Sequence, residues 1–503
     1  MITNKIIKFS NLNKLRKKNK KSKIILAHGT FDLFHYGHLK HLEKSKKKAD
    51  ILVVSLTADK YVKKGSDRPI YNENQRASII SNFEFVDYVT IVKSDSGVEV
   101  INLLKPDFYS KGIEYKKFNN DPTQKILMEE KILKKNNGKL FFTNEDVLSS
   151  SNIINKIKLE KKSPRSDFLK KMRKKVKLNF FLNNFDKIYK KKVLVIGDAI
   201  LDKYIFTSAL AKSPKEELIS VKENYEKIYL GGILATSMHI SSFVKKPTML
   251  TILGKDSKIN QIIKRKLKKN CNLKLFIDKT RNNIVKTRYL DITKKKLFQS
   301  NNLPLEDITH ELEKKVCQYL TKKINKFDIV IVNDFGHGFL TKKIRKILEN
   351  KSKILCVNVQ TNSANLGYNY FYKYSKCNYL TMDEPEARLA TEERFGKTSL
   401  ITKKIFKKTK SNIVSITYGS NGTQIFKKNE KSFVPALSSN AIDTLGAGDA
   451  FFAISSIYQL IDKKLENIAF IGNVAGAIKI KHLGHEKYVK KDIFFEYLKS
   501  ILS

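Results

Sequence analysis

Two short stretches of this chain carry residue types suited to handling phosphate. The first reads His28-Gly29-Thr30-Phe31-Asp32-Leu33-Phe34-His35-Tyr36-Gly37-His38, with two histidines three residues apart behind a small, polar turn. At the entry of a helix, imidazoles at that spacing share one turn, so both can donate to a phosphate group as negative charge builds on it. Gly29, Thr30 and Phe31 would lead into the positive end of that helix, where backbone N–H groups favour a nucleotide's phosphates, and Gly37 leaves room for close approach. His35 and His38 are therefore the candidate catalytic pair. A metal site would need a third histidine or a matched carboxylate, which the pair lacks; any required ion is expected to be Mg²⁺ brought with the nucleotide.

The second stretch is Ala441-Ile442-Asp443-Thr444-Leu445-Gly446-Ala447-Gly448-Asp449-Ala450. Its small residues let successive N–H groups point into one cavity at a helix start, forming an anion hole for a transferring phosphoryl group. Asp449, beside that hole, is the candidate base for an attacking sugar hydroxyl. Asp443, Gly446, Ala447 and Gly448 are the expected nucleotide contacts. The two stretches lie near opposite ends of the chain, so each is expected in its own domain, with two chemistries on phosphorylated intermediates.

The elements that must position them are α/β. Apolar runs at 24–27, 51–56, 88–92 and 107–110, with a helix over about 38–48, predict a parallel sheet in residues 1–157. A second series begins at Val193 and continues through 328–332, 354–357 and 413–416, then reaches helices from about Gly448, which places a second α/β domain over 193–503. Between them, 158–192 is Lys-rich, with Phe168, Leu169, Met172, Val176, Phe180, Phe181 and Phe185 at roughly helical spacing. It reads as a basic helical linker packed on a domain; a membrane-surface or calmodulin-type helix is the sharper alternative.

At 503 residues the chain has room for two or three buried cores. The net charge of +49 comes mostly from Lys spread along the whole length. Polynucleotide specialists concentrate charge and favour Arg, so the reading is a solvated basic surface that draws in anionic substrates, with no specific nucleic acid as partner. No apolar run is long enough to span a membrane and no secretory core opens the chain, which predicts a soluble, cytoplasmic protein without a membrane partner. Cys271, Cys317, Cys356 and Cys377 are widely spaced and lack zinc-site spacing, so they are expected reduced and structural.

The first stretch resembles the cytidylyltransferase-like nucleotidyltransferases, whose H-x-G-H signature stabilises attack of a substrate phosphate on the α-phosphate of CTP or ATP. The likeness continues over about residues 20–160. Lys46 falls where that family carries a phosphate-binding lysine, which makes it a candidate catalytic residue, and Lys64-Gly65-Ser66-Asp67-Arg68-Pro69 resembles its K-G-x-x-R-P loop. Asn74-Gln75-Arg76 resembles the E-Q-R element, with Arg76 on nucleotide, and Val86-Asp87-Tyr88-Val89 matches V-D-x-V. Ser149, Ser150 and Ser151, followed by Asn152-Ile153-Ile154, resemble the S-T-T-x-I-I motif that closes over nucleotide.

The second stretch resembles the D-T-x-G-A-G-D string of the ribokinase-like carbohydrate kinases. The likeness implies that Asp202, Gly231, Gly232 and Arg288 bind the sugar, that Thr417, Gly419 and Gly422 form the nucleotide turn, and that Asp383 and Glu386 stand where N-x-x-E helps organise Mg²⁺. Ala235 replaces an expected Asn, Asp383 another, and Asn358 and Gln360 stand where related heptose kinases carry Asp and Lys. Together the halves are similar to the bifunctional heptose 7-phosphate kinase / heptose 1-phosphate adenylyltransferases, with the domain order reversed. That resemblance implies a Rossmann-like nucleotidyltransferase domain followed by a ribokinase-like kinase domain. It implies phosphorylation of a sugar or sugar phosphate by ATP and nucleotidyl transfer from ATP, with CTP as the alternative, onto a sugar 1-phosphate. Sugar phosphates and nucleoside triphosphates would be the partners, Mg²⁺ the cofactor, with a homo-oligomer left open. Two other readings are a glycerol- or polyol-phosphate cytidylyltransferase fused to a kinase of other specificity, and a non-catalytic nucleotide-sensing or nucleic-acid-binding protein.

Overall fold

A computed structural model of the chain describes residues 5–62, 68–113, 125–143, 163–212, 219–304, 306–438 and 441–502. It divides into two compact units, Met1–Leu178 with Asp492–Ser503, and Asn179–Lys491. Both are α/β, as expected.

In the first unit, five parallel strands, β1 (Ile24–Gly29), β2 (Ile51–Thr57), β3 (Tyr88–Val92), β4 (Phe108–Gly112) and β5 (Lys139–Thr143), lie in the order β3-β2-β1-β4-β5. The strands are apolar runs because both faces are covered. Leu26 and Val53 face a core with Leu104 and Leu133, while Ile25 and Val54 face another with Leu42 and Ile80. The order reverses between β1 and β4, and a sheet wound this way opens a crevice outside the carboxyl ends of those strands. Gly29, at the end of β1, is delivered to that edge.

The second unit has a sheet ordered β10-β9-β6-β13-β14-β15-β16-β17-β18, parallel from β10 (Asn272–Ile277) through β9 (Thr248–Leu253), β6 (Val193–Gly197), β13 (Ile329–Asp334), β14 (Leu355–Val359) and β15 (Lys376–Asp383) to β16 (Lys410–Thr417). β17 (Thr423–Lys427) and β18 (Glu430–Val434) close it antiparallel. Against the outer face of the layer, helices Ala447–Tyr458 and Leu465–Lys479 are buried along nearly their whole lengths, which their all-round apolar composition requires. A separate four-stranded sheet, β12-β11-β7-β8, is built from β7 (Ala199–Lys212), β8 (Ile219–Gly231), β11 (Ile284–Leu290) and β12 (Lys296–Asn302). Its register sets Asp202 beside Lys286 and Ile200 opposite Gly231.

Among its described residues, the 158–192 segment contains two helices where one was expected. Pro164–Lys175 opens with a Ser163–Ser166 capping box and Pro at its start, and ends where Val176 turns extended at φ −138°. Leu178–Tyr189 follows, with Phe181 and Phe185 packed on Tyr458 and Phe243. The four cysteines are unbridged, and burial pushes the Cys271, Cys356 and Cys377 thiols up to about 12, as inert structural groups require. Among the described residues no helix is long and apolar enough to cross a membrane.

Candidate active sites

In the first unit the helix Tyr36–Lys47 starts where β1 ends, and both histidines fall at its entry. His35 is the N-cap, its Nδ1 accepting the Gly37 N–H at 3.1 Å. His38 sits one turn in, and its ring stacks on that of His35 with centroids 3.8 Å apart and planes 22° apart. Phe31 lies 5.2 Å and Phe34 5.5 Å from the His38 ring. The connecting turn is tightly folded: Phe31 and Leu33 take φ +48°, a conformation non-glycine residues rarely adopt. Buried carboxylate Asp32 holds it there, paired with Arg68 Nε at 2.5 Å and accepting the Ile70 N–H at 2.8 Å. A histidine pair at a helix N-terminus, over a turn pinned by an ion pair, is an arrangement able to receive a phosphate.

Two expected contacts are not brought to this pair. Lys46 lies eight residues beyond His38, about 12 Å along the helix at 1.5 Å per residue. There it bonds Asp87 Oδ2 at 2.7 Å and the Asp50 carbonyl, and Asp87 in turn accepts the Leu52 N–H at the start of β2. The Lys46 ammonium is thus paired near the start of β2, away from the histidine pair. Arg76 is 1% exposed, and its guanidinium donates to the carbonyls of Tyr71, Thr30 and Thr57 and to Asp59 Oδ1. Its bond to the Thr30 carbonyl holds that turn. Ser149, Ser150, Ser151 and the Lys64–Asp67 part of the loop lie outside the described residues; Gly29 ends β1, and Thr30 and Phe31, both buried, follow it in the turn.

In the second unit one cavity of about 380 Å³ gathers most of the residues expected there. Asp202, Gly232, Arg288, Asp383, Glu386, Thr417, Asp443, Gly446, Gly448 and Asp449 all line it. Gly446 is left-handed at φ +77° and caps the helix Ala447–Tyr458, so the first-turn N–H groups beside Gly448 and Asp449 point to its mouth. Asp443 pins the turn: its Oδ1 accepts Lys296 Nζ at 2.8 Å and the Leu445 N–H at 3.1 Å, and its Oδ2 accepts the Gly484 N–H at 2.8 Å. Burial opposes its ionisation, but Lys296 and these N–H groups outweigh that and hold the carboxyl below its ordinary value. Asp202 pairs with Arg288 and abuts Gly231, where a Cβ would stand 2.1 Å from Asp202 Oδ2. Gly419 and Gly422 shape the turn that follows β16 and do not line the cavity; a Cβ on Gly422 would meet the Val434 carbonyl at 2.2 Å.

The departures at Asn358 and Gln360 acquire a role. Asn358 donates to Thr381 at 3.0 Å, Gln360 donates to Asn358 Oδ1 at 2.9 Å, and the same Gln360 amide donates to Asp449 Oδ1 at 2.9 Å. Asn333 adds a bond to that oxygen at 3.2 Å. A neutral relay thus aims Asp449. Burial first, then Asp202, pushes its carboxyl up to about 6, against the Gln360 bond. Asp383 and Glu386 form a capping box, and burial with Asp383 nearby pushes Glu386 up to about 8.

Sequence reading missed His485. Its side chain is 6% exposed and its Nε2 lies 3.5 Å from Asp202 Oδ2 and 4.0 Å from Asp449 Oδ2. It also sits against Gly446, where a Cβ would come within 2.5 Å of the ring. Lys479 was missed too: buried, bonded to the Gly484 carbonyl, its ammonium pulled down to about 8 by burial. No motif flagged either, because a lone His and a Lys among many carry no spacing signal. Gly446→Ala should destabilise the second unit by about 1–2 kcal/mol from the positive φ alone, more with the His485 clash. A thermal melt alongside an ADP assay will show both losses if the turn is as built.

Comparisons with known proteins agree with this division. The description "Cytidylyltransferase-like" matches residues 26–156 and "pfkB family carbohydrate kinase" matches residues 190–491. The bifunctional protein HldE of Campylobacter jejuni subsp. doylei is 41% identical over 146 residues, covering 29% of this chain and 30% of that protein. HldE of Helicobacter pylori is 41% identical over 110 residues, 22% of this chain and 24% of that one. Both matches fall on the nucleotidyltransferase part, so the chain spans less than a third of the length of these curated relatives. The solved ribokinase of Thermotoga maritima is 18% identical, with a TM-score of 0.49 covering 61% of this chain and 99% of that one. With the pfkB description covering more than half of its length behind a cytidylyltransferase-like segment, the chain belongs to the pfkB family of carbohydrate kinases.

Proposed function

We propose that this protein is a bifunctional sugar-activating enzyme of the cytoplasm. Residues 193–503 would phosphorylate a sugar phosphate, a heptose by resemblance, and residues 1–157, joined through 158–192, would transfer a nucleotidyl group onto a sugar 1-phosphate. The observation that carries the kinase reading is that Asp202 and Asp449 both lie within 4.0 Å of one imidazole nitrogen beside the Gly446 turn. Carboxylates that close can bracket one hydroxyl.

In the kinase step Asp449 takes the proton of the acceptor hydroxyl, whose oxygen attacks the γ-phosphorus of ATP. The bond to the β,γ-bridging oxygen breaks and ADP leaves, while the first-turn N–H groups hold the charge on the transferring phosphoryl. Asp202, fixed by Arg288, accepts from a neighbouring hydroxyl. Among the described residues no group of three or more His, Cys, Asp or Glu could hold a metal alone. The exposed Asp383 and half-buried Glu386 line the cavity and would hold Mg²⁺ arriving with nucleotide phosphates, where it would supply charge neutralisation. In the second step a sugar 1-phosphate oxygen attacks the α-phosphorus of ATP or CTP, pyrophosphate leaves, and His35 and His38 donate to the phosphate as charge develops.

The test is to incubate the protein with ATP or CTP and heptose, hexose and polyol phosphates, following ADP and pyrophosphate; neither product with any acceptor would discard the enzyme reading. Because Asp449 must be ionised to act, kcat/KM for ADP formation should fall about tenfold per pH unit below about 6, while remaining flat above it until another group titrates. The dispersed Lys surface speaks for attraction of anionic substrates; sequence-dependent affinity for a polynucleotide at physiological salt would favour the nucleic-acid reading instead.

A further inference from the structure

Beside the kinase cavity lies another, of about 220 Å³, lined in part by Tyr229, Ala235, Met238, His239 and Lys266. His485 forms part of the wall of both. The helix Gly232–Ser241 runs along it, and Ala235, where the kinase family usually carries Asn, leaves the space open.

The polar groups on this wall are unusual. His239 is 1% exposed and its Nδ1 accepts the Val489 N–H at 2.9 Å. Burial keeps the ring neutral, so the Nδ1 acceptor role puts its hydrogen on Nε2, and that donor has no partner among the described residues. His485 is complementary. With Nε2–H toward the Asp202 and Asp449 carboxylates, its buried Nδ1 is an acceptor, likewise without a partner. Buried polar groups are normally satisfied, and two left open on one cavity wall call for a partner such as a water, an ion or a ligand. One donor and one acceptor suit hydroxyls, which do both. Lys266 and Lys487 stand at the exposed rim and outnumber its one carboxylate, Glu486.

We propose that this second cavity binds the non-reacting end of the acceptor, a polyol chain ending in phosphate, with His239 Nε2 and His485 Nδ1 on its hydroxyls and Lys266 and Lys487 on its phosphate. The reacting hydroxyl then lies on the far side of His485, between Asp202 and Asp449. The missing Asn at position 235 becomes a specificity device: the small side chain makes room for a longer, anionic acceptor. This rests on the kinase reading for the acceptor's class and adds where its far end goes.

The test is calorimetric titration of the full chain with heptose 7-phosphate and with unphosphorylated heptose, beside an ADP assay. The phosphorylated sugar should bind at least about tenfold more tightly. Lys266→Gln, at an exposed site whose Nζ also donates to the Ile228 carbonyl at 2.9 Å, should remove most of that advantage with the melting temperature measured alongside, and Ala235→Leu should weaken both sugars about tenfold by filling the cavity. Lys258→Gln, on the solvent side of the same helix as Lys266, should change neither. An equal affinity for the two sugars, or an affinity that neither Lys266→Gln nor Ala235→Leu moves, overturns the proposal. If ADP still forms with heptose 7-phosphate in that case, the kinase reading survives it. If neither sugar binds and no acceptor yields ADP, both fall together.

Discussion

Asp449→Asn should abolish ADP formation, by about 10³-fold or more, while leaving pyrophosphate release from the nucleotidyltransferase reaction unchanged. Loss of a positioned general base costs about 10²–10⁴-fold, and here the same residue lies in the first helical turn beside the anion hole. The substitution keeps shape and keeps an oxygen for the amides of Gln360 and Asn333, which approach at 2.9 and 3.2 Å. It removes the ionisable group alone. Stability gives a second readout with a definite sign. The folded carboxyl titrates near 6 against an ordinary 3.8, so its ionisation weakens the fold progressively as pH rises from about 4 to 6, and fully above. At pH 7.5 the variant should therefore melt no lower than the parent, and higher by an amount worth up to about 3 kcal/mol. A marked loss of stability would mean that Asp449 is held by interactions the structure does not contain.

His38→Ala should have the converse effect, lowering pyrophosphate release by about 10²–10³-fold, the cost of removing one preorganised donor, with ADP formation intact. His38 stacks on His35 at 3.8 Å, so the two rings position one another, and His35→Ala should lose a comparable amount. The double variant should then fall well short of the product of the two losses, since residues acting as a unit are not additive. Initial rates of both products on the same preparations decide the matter. Loss of both activities from either the Asp449 or the His38 change would refute two independent sites.

Much of the scaffold was legible. The runs at 24–27, 51–56 and 88–92 became β1 to β3 because strands covered on both faces must be apolar throughout. The four-stranded sheet escaped notice for the opposite reason. β12 is exposed along its whole length and β8 carries Lys222, Glu223, Glu226 and Lys227, so neither shows an apolar run. Yet that sheet supplies Asp202, Arg288 and Lys296 to the kinase cavity. The position of Lys46 could not be read from a motif either: a residue eight positions down a helix is carried away from the histidine pair by the helix rise itself.

The sequence by itself determined the two phosphate-handling turns, because glycine at a left-handed position and histidine at a helix entry are local requirements that neighbours in the chain satisfy. It determined the α/β class through the burial of whole strands. Tertiary structure decided which side chains meet there. Gln360, Asn333 and His485 reach Asp449 from three different elements, and Arg76 turns inward to hold the turn that ends in the histidine pair. Burial, with Asp202 nearby, pushes the Asp449 carboxyl up to about 6 while the Gln360 bond opposes the shift; these groups come from separate elements, and no single stretch of sequence encodes that.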